Sequence, residues 1–147
     1  MSRVGRCAIF GQEGFSAVIG AMRAALEDAE LTVGDVDAIY ASANSTRRAD
    51  CVEARAIGDL FGERVPVVAT KGYFGEYAAA GGLQLAAALL AIHEQSLHPS
   101  CGFEEPDEQT KIGIVRERRP AALRNVMVNS MSAGGGIVCA VVSREPA

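Results

Sequence analysis

The sequence predicts a layered α/β domain, and three observations support this fold class. Helical and strand-like hydrophobic patterns alternate along the chain, and no linker is long or polar enough to separate two domains. The chain has 147 residues, of which 49% are hydrophobic and 22% charged, as in one ordinary globular domain. Its 16 glycines, with no tryptophan and 5% aromatic residues, indicate closely approaching backbones. We therefore expect residues 1–147 to form a single domain.

The first part of the chain predicts a strand, a helix, a second strand and a loop. The short apolar run Cys7–Phe10 is typical of a strand. Ser16 can cap a helix that runs to about Leu31, because apolar residues then recur on one stripe. Val36–Ala41 predicts a buried strand, and the small and charged residues of Ser42–Asp50 predict a polar loop.

The middle of the chain predicts a helix, a strand and a long apolar helix. Glu53–Phe61 predicts a helix that ends at Gly62, and the β-branched run Val65–Ala69 predicts a strand. The most helical stretch is Glu76–Gln95, in which Gln84 interrupts a run of apolar residues that occupy nearly every face. A helix with this pattern is expected to be buried within a layer of the fold.

The last part of the chain predicts three strands. The charged segment Pro99–Arg119 contains a short strand pattern at Ile112–Val115. Val126–Asn129 and Ile137–Ser143 then predict two strands that are joined through the glycines of Gly134–Gly136.

Charge and hydropathy exclude several classes of partner. The 14 Lys and Arg residues against 18 Asp and Glu residues give a net charge of −4, and the chain has no basic block. This argues against nucleic acid or an anionic membrane as the main partner. Nothing near the N-terminus resembles a signal peptide, and the apolar run Ala78–Ile92 is shorter than the roughly 20 residues that a membrane span needs. We therefore expect a cytoplasmic protein.

Cysteine and histidine residues predict neither a metal site nor a redox site. The four cysteines lie far apart without a CxxC pair, and the two histidines stand in no metal-ligand pattern. Neither a P-loop nor a GxGxxG motif is present to hold a nucleotide. We expect no metal and no nucleotide cofactor.

Three segments, in order, carry motifs of a known family. They are Val36–Thr46 leading through Asp50 to Glu53–Ile57, then Thr70–Glu76 followed by Ala79–Gly82, and finally Asn129–Gly135. The first is similar to a strand that enters an AHGTST loop, followed by an acidic residue and an E-x-x-A-I helix. The others are similar to TK-x-x-x-GH-x-x-GAAG and NSFGFGG. Together they resemble the C-terminal half of β-ketoacyl synthases, the condensing enzymes of the thiolase superfamily.

The resemblance covers nearly the entire chain and implies a thiolase-like layered α/β half-fold. In this fold two α/β halves lie together, with the active site and much buried surface between them. The chain corresponds to the C-terminal half of a ketosynthase. The resemblance therefore implies that another polypeptide partly covers the apolar helix that follows Glu76.

Two positions depart from the family in a way that affects chemistry. The family has catalytic histidines where this sequence has Ser42 and Glu76. A hydroxyl cannot supply the charge or proton of an imidazole, and an ionised carboxylate repels a developing thioester oxyanion. Loss of even one such donor costs about 10²–10³ in rate. Because the family's cysteine nucleophile also belongs to the other half, we expect no ordinary condensation from this chain.

Other positions have structural roles by resemblance. Lys71, Asp50 and Glu53 stand where the family has a lysine and acidic partners, and we expect a Glu53–Lys71 ion pair that ties the first loop to the second. The family gates its acyl pocket with the loop before the last strand, and Ala133 replaces its phenylalanine. This change implies a more open, or a non-functional, pocket. The corresponding residues are Met131, Ser132, Ala133, Gly134 and Gly135.

A chain that keeps the structural motifs of the family but lacks both catalytic histidines resembles the chain-length factors. These are catalytically silent partners of ketosynthases in type II polyketide systems. This resemblance implies a hetero-oligomer in polyketide or fatty-acid-like biosynthesis, without a cofactor. A ketosynthase-type chain would supply the N-terminal half and the cysteine nucleophile. An acyl carrier protein would belong to the same assembly, and the exposed charges of Arg116, Arg118 and Arg119 would suit its acidic surface.

Two alternatives remain open. In the first, the chain is half of an active acyltransferase or condensing enzyme in which Ser42 and Glu76 take altered roles. Glu76 would then be a general base, provided that burial raised its pKa toward neutrality. In the second, the chain is a standalone acyl-binding or interaction module.

Overall fold

The structure is a computed structural model that describes residues 12–104, 111–132 and 134–145, with side chains from residue 14 onward. The predicted strand Cys7–Phe10 and the predicted gating residue Ala133 lie outside the described residues. The α-helices are α1 (Gln12–Asp28), α2 (Arg47–Phe61), α3 (Lys71–Phe74) and α4 (Ala80–Glu94). The strands are β1 (Ala38–Ala41), β2 (Pro66–Ala69), β3 (Ser96–Leu97), β4 (Gly113–Ile114), β5 (Arg119–Pro120), β6 (Asn125–Met131) and β7 (Ile137–Ser143).

Five of these strands form one mixed sheet in the order β4-β2-β1-β6-β7. The first four are parallel, and β7 runs antiparallel to β6 at one edge. The strands β3 and β5 form a separate antiparallel pair. Because β1, β2 and β6 are parallel neighbours, the loops that follow them leave the sheet at the same edge.

Helices cover both faces of the sheet. On one face α1 and α2 pack against Ile39, Val67 and Met127, which are fully buried. On the other face α4 packs through Ala88 and Ala91 against a cluster that includes Tyr40. Alternate residues of each strand therefore enter opposite cores, as the two-residue period of a strand requires. The predicted layered α/β class is confirmed.

The first two helices begin earlier than the sequence predicts. Helix α1 begins at Gln12 rather than at Ser16 and ends at Asp28. Phe15 accounts for the early start, because it packs against the core and lies 5.1 Å below the Arg55 guanidinium. Helix α2 begins at Arg47, inside the expected polar loop, and ends at Gly62 as predicted.

Helix α4 differs from its prediction in both extent and burial. It begins at Ala80 rather than at Glu76, and α3 precedes it. Gly72 of α3 approaches the next loop so closely that a Cβ would lie 2.6 Å from the Cys101 carbonyl oxygen. One face of α4 is open to solvent in this chain, because Leu83, Leu85, Leu89 and Leu90 are all exposed. The apolar pattern predicts that these leucines are buried, but the described residues of this chain do not cover them.

The last strands agree closely with the sequence. The predicted strand at Ile112–Val115 corresponds to β4, and the pattern at Ile137–Ser143 corresponds to β7 without a change of bounds. Strand β6 extends past the predicted Asn129 to Met131, which places Met131 beside Ile137 in the ladder. Among the described residues, no helix is both long and apolar enough to cross a membrane.

Candidate functional site

A cavity lies at the edge of the sheet where β1 and β6 end. Its volume is about 420 Å³, which is within the range of small-molecule sites. The loop after β1, the segment between α3 and α4, and the end of β6 form its walls. The lining residues include Ser42, Asn44, Asp50, Glu53, Glu76, Tyr77, Gly81, Ser130, Met131 and Ser132. Both positions at which the resemblance implies catalytic histidines, Ser42 and Glu76, therefore line the same cavity.

Ser42 is held by two hydrogen-bond donors. Its side-chain oxygen accepts one bond from the Lys71 ammonium at 3.1 Å and another from the Met131 backbone N–H at 2.9 Å. Only 4% of the residue is exposed. The hydroxyl thus links the ends of β1 and β6 to the start of α3.

Glu76 forms an ion pair with Lys71 at the mouth of the cavity. The Lys71 ammonium lies 2.5 Å from Glu76 Oε2, which also accepts a hydrogen bond from the Asn44 side chain at 2.9 Å. Burial alone would raise the pKa of Glu76, but the hydrogen bonds from Lys71 and Asn44 and the charge of Lys71 outweigh it. The pKa of Glu76 is therefore lowered, and this carboxylate is ionised at neutral pH.

Glu53 lies deeper and has a different set of partners. Its carboxylate accepts hydrogen bonds from the backbone N–H groups of Ser42 and Ala43, at 2.8 and 3.0 Å. The side-chain amide of Asn129 donates a third bond at 3.1 Å. Burial raises the pKa of Glu53 to about 7, because these neutral donors only partly replace the lost water.

The expected Glu53–Lys71 ion pair is wrong. Lys71 pairs with Glu76 instead, and neutral groups satisfy the Glu53 carboxylate. The physical reason is the early start of α2, which places Glu53 beneath the backbone of the loop after β1. The two loops are nevertheless tied together, because Lys71 bridges Ser42 and Glu76.

Asp50, the third predicted acidic residue, braces the loop after β1. One of its carboxylate oxygens accepts a hydrogen bond from the Asn44 backbone N–H at 3.1 Å. Burial raises the pKa of Asp50 against the opposing effect of hydrogen bonds from the Asn44 and Ser45 backbones. Ser45 has a positive φ of 69°, so the loop makes a tight turn directly above this carboxylate.

The predicted gating loop contributes part of the wall. Met131 is buried, and Ser132 both lines the cavity and accepts a hydrogen bond from the Gly136 N–H at 3.0 Å. Gly135 turns the chain with a φ of 83°, which favours glycine. Within the described part of the chain, no cluster of three or more His, Cys, Asp or Glu side chains could hold a metal ion.

Sequence reasoning missed three amides that organise the site. Gln84 of α4 is fully buried, and its Nε2 lies 2.8 Å from the carbonyl oxygens of Tyr40, Ala41 and Asn129. Asn129 and Asn44 bind the carboxylates of Glu53 and Glu76. A single glutamine inside an apolar helix was the available signal, since a buried polar group requires partners.

A family model supports the resemblance in the motifs. Residues 11–104 match the family described as "Beta-ketoacyl synthase, C-terminal domain". The chain belongs to this family.

The curated relatives of this ketosynthase-family chain include a 3-oxoacyl-[acyl-carrier-protein] synthase and a subunit of a polyketide synthase. The chain is 36% identical to the 3-oxoacyl-[acyl-carrier-protein] synthase 2 of Coxiella burnetii, over 90% of this chain and 32% of the relative. It is 35% identical to the tetracenomycin polyketide synthase ketoacyl synthase beta subunit of Streptomyces glaucescens, over 85% of this chain and 31% of the relative. The chain therefore spans about a third of the length of these relatives.

Solved ketosynthase structures share the thiolase-like fold of this chain. A β-ketoacyl synthase from Burkholderia phymatum superposes with a TM-score of 0.89 at 28% identity, over 97% of this chain and 36% of that one. The ishigamide ketosynthase/chain length factor superposes with a TM-score of 0.85 at 27% identity, over 90% of this chain and 34% of that one. The chain thus has the fold of the C-terminal half of a ketosynthase.

Proposed function

We propose that this chain is a non-catalytic, chain-length-factor-like part of a ketosynthase-type complex in polyketide or fatty-acid-like biosynthesis. The observation that supports this most directly is that Lys71 donates to both Ser42 and Glu76, the residues at the two histidine positions. The Glu76 carboxylate therefore compensates the charge of Lys71. The chain keeps the fold of the family, but Ser42 and Glu76 replace the two histidines that would act on a thioester.

The chemistry of the network argues against condensation. An oxyanion requires donors that are directed at it in advance and that carry no opposing charge. Here the charge of Lys71 is compensated by Glu76, whose ionised carboxylate lines the same cavity. A developing negative charge on a thioester oxygen would therefore be repelled by Glu76 and only weakly attracted by Lys71.

The exposed leucines of α4 support a partner. Leu83, Leu89 and Leu90 are exposed on the outer side of α4, and 53% of Leu90 is exposed. We propose that the nucleophile-bearing half of a ketosynthase-type protein covers this surface and supplies the cysteine. The beta-subunit and chain-length-factor names of the relatives favour a hetero-oligomeric assembly of this kind.

An acyl carrier protein is the second partner in this proposal. One neighbour of the fold was solved as a ketosynthase with its acyl carrier protein. In this chain Arg116, Arg118 and Arg119 are exposed, and Arg118 is paired with Glu94. Reversing Arg116 and Arg119 to glutamate should weaken carrier binding several-fold at low salt, because acidic carriers are attracted by such charges. Unchanged affinity in surface plasmon resonance would remove this docking role.

The active-enzyme alternative is less well supported. It requires a Glu76 whose pKa is raised toward neutrality, whereas the ion pair with Lys71 lowers it. A carboxylate with a low pKa is a weak general base. Among the residues that the structure describes, no specific contact favours the standalone acyl-binding module over a subunit.

Purification of the protein from its natural source tests the proposal. We expect a companion polypeptide that carries a ketosynthase cysteine, identified by mass spectrometry of the intact complex. The reconstituted complex should make its natural product, and omission of this chain should change the yield or the chain length of that product. Equal condensation of malonyl groups without this chain would contradict the proposal.

A further inference from the structure

The Ser42 hydroxyl has one hydrogen-bonding capacity that the chain does not use. A hydroxyl has two acceptor lone pairs and one donor hydrogen. Both lone pairs are occupied, since Lys71 and the Met131 N–H each donate to this oxygen. Among the described residues, no acceptor lies within hydrogen-bonding distance of the hydroxyl hydrogen. Ser42 lines the cavity, so this hydrogen can be directed at a ligand that is bound there.

The electrostatic surroundings restrict which acceptor can occupy this place. Three carboxyl groups line the cavity, those of Asp50, Glu53 and Glu76, and Lys71 is the cation bound to one of them. The ionised Glu76 is held in place by Lys71 and Asn44, so it cannot turn away from an entering anion. A carboxylate on the ligand would meet the ionised Glu76 in a partly desolvated space, where repulsion is stronger than in water.

We infer that the cavity takes the uncharged carbonyl of an acyl group on the Ser42 hydroxyl and discriminates against acyl groups that carry a carboxylate. This inference rests on the proposed function, because the acyl ligand is taken from it. It adds a ligand class: saturated or keto-acyl chains enter, whereas malonyl-type units do not. Lys71 polarises the Ser42 hydroxyl, and this strengthens a neutral hydrogen bond without providing the charge that an oxyanion would need.

Two ligands that differ only at one end provide the test. Propionyl and malonyl amides of pantetheine have nearly the same size, and the second has a carboxylate where the first has a methyl group. Neither can be hydrolysed or condensed at the amide, so calorimetry on the full chain measures binding alone. We expect the propionyl amide to bind at least about tenfold more tightly than the malonyl amide at low salt. Equal or tighter binding of the malonyl amide, or no binding of either, would overturn the inference.

Variants separate the hydrogen bond from the charge. Ser42→Ala should weaken propionyl binding about five- to tenfold, the effect of one lost hydrogen bond, and unchanged binding would contradict the assigned donor. Ser143→Ala, an exposed serine outside the cavity, is the matched control and should bind as the parent does. Glu76→Gln should reduce the preference for propionyl over malonyl severalfold, because it removes a negative charge. If Ser42→Ala does not fold by near-UV circular dichroism, the parent and Glu76→Gln comparisons still decide the charge effect.

The outcome is independent of the assembly experiment. A chain that binds both amides equally but still assembles with a cysteine-bearing companion loses the ligand preference and keeps the proposed function. A chain that prefers the propionyl amide but has no companion keeps the preference and loses the subunit role.

Discussion

Glu53 and Glu76 show how two identical side chains in one cavity acquire opposite properties. Glu76 has a cation 2.5 Å away, which lowers its pKa, whereas Glu53 has only neutral donors and its pKa is raised to about 7. The difference follows from position. Lys71 lies close to Glu76 in the sequence and donates a hydrogen bond to it. The Glu53 carboxylate instead accepts hydrogen bonds from the backbone N–H groups of Ser42 and Ala43.

The raised pKa of Glu53 predicts a pH-dependent stability. The folded protein holds a proton on Glu53 up to about pH 7, whereas the unfolded chain releases it near the ordinary value of 4.5. The stabilisation that this proton provides is complete below pH 4.5 and is lost as the pH rises through 7. The difference in unfolding free energy between the parent and Glu53→Gln should therefore fall by roughly 3 kcal/mol over this range.

Urea unfolding at intervals from pH 4.5 to 8 measures this difference. Glu27→Gln, on the exposed face of α1, is the control and should show no such trend. A constant difference between the parent and Glu53→Gln across the range would mean that Glu53 is ionised throughout.

Replacement of Glu76 separates the silent subunit from the active enzyme. In the reconstituted complex, Glu76→Gln should leave product formation within about twofold, because the proposed subunit performs no proton transfer. A general base at this position would instead cost about 10²–10⁴ in rate. Glu27→Gln, an exposed change on α1 outside the cavity, is the matched control. A loss of that size in Glu76→Gln alone would favour the active-enzyme alternative.

At the scale of single elements, α4 has two functions on its two sides. Its inner side carries Gln84, whose amide binds the carbonyls at the ends of β1 and β6. Those carbonyls belong to residues that are buried away from water. The inner side of the helix therefore braces β1 and β6, while its outer leucines remain exposed.

Gln84→Leu should destabilise the protein although it retains the size and helix preference of the residue. Because the Gln84 amide nitrogen has two hydrogens, the change removes up to two hydrogen bonds to buried carbonyl oxygens, at about 1–3 kcal/mol for an unsatisfied group. We expect a loss of roughly 2–4 kcal/mol in urea unfolding. Leu83→Ala, on the exposed side of the same helix, should cost less than about 1 kcal/mol. Equal losses in the two variants would show that the Gln84 bonds contribute little.

The outer side of α4 predicts a variant that folds but does not assemble. Leu89→Glu combined with Leu90→Glu should leave the unfolding free energy of the isolated chain within about 1 kcal/mol, since both side chains are exposed in it. The same change should abolish association with the companion polypeptide in size-exclusion chromatography, because two charges would be buried without partners. Arg23→Glu on α1 is an exposed control. Normal assembly of the double variant would exclude this surface as the interface.

At the scale of the whole molecule, the sequence predicts the layers better than the connections. The hydrophobic pattern identifies β6 and β7, because both strands are apolar segments that polar or glycine-rich segments bound. It does not identify α3, since a four-residue helix has too few residues to show a period. It also misplaces the start of α2, where polar residues form the first turn of a helix that packs through Ala49 and Val52.

The sequence predicts those residues of the site that belong to the family motifs. The motifs identify Ser42, Lys71, Glu53 and Glu76, and the structure brings all four to one cavity or its wall. They do not predict that Lys71 pairs with Glu76 rather than with Glu53, because that choice depends on a few ångströms of loop geometry. The amides of Asn44, Gln84 and Asn129 depend on the same geometry, and no spacing in the sequence reveals them.

The sheet order has a consequence for the way in which the chain folds. The central strand β1 is paired on one side with β6, where Ala38 lies beside Val126, so the two partners are separated by most of the chain. During synthesis β1 and β2 emerge before β6, and one edge of β1 stays unpaired until β6 has been made. Such distant pairing makes folding slow and leaves an apolar strand exposed to aggregation meanwhile. Production of this chain should therefore benefit from a low temperature, because hydrophobic association between exposed apolar strands weakens on cooling.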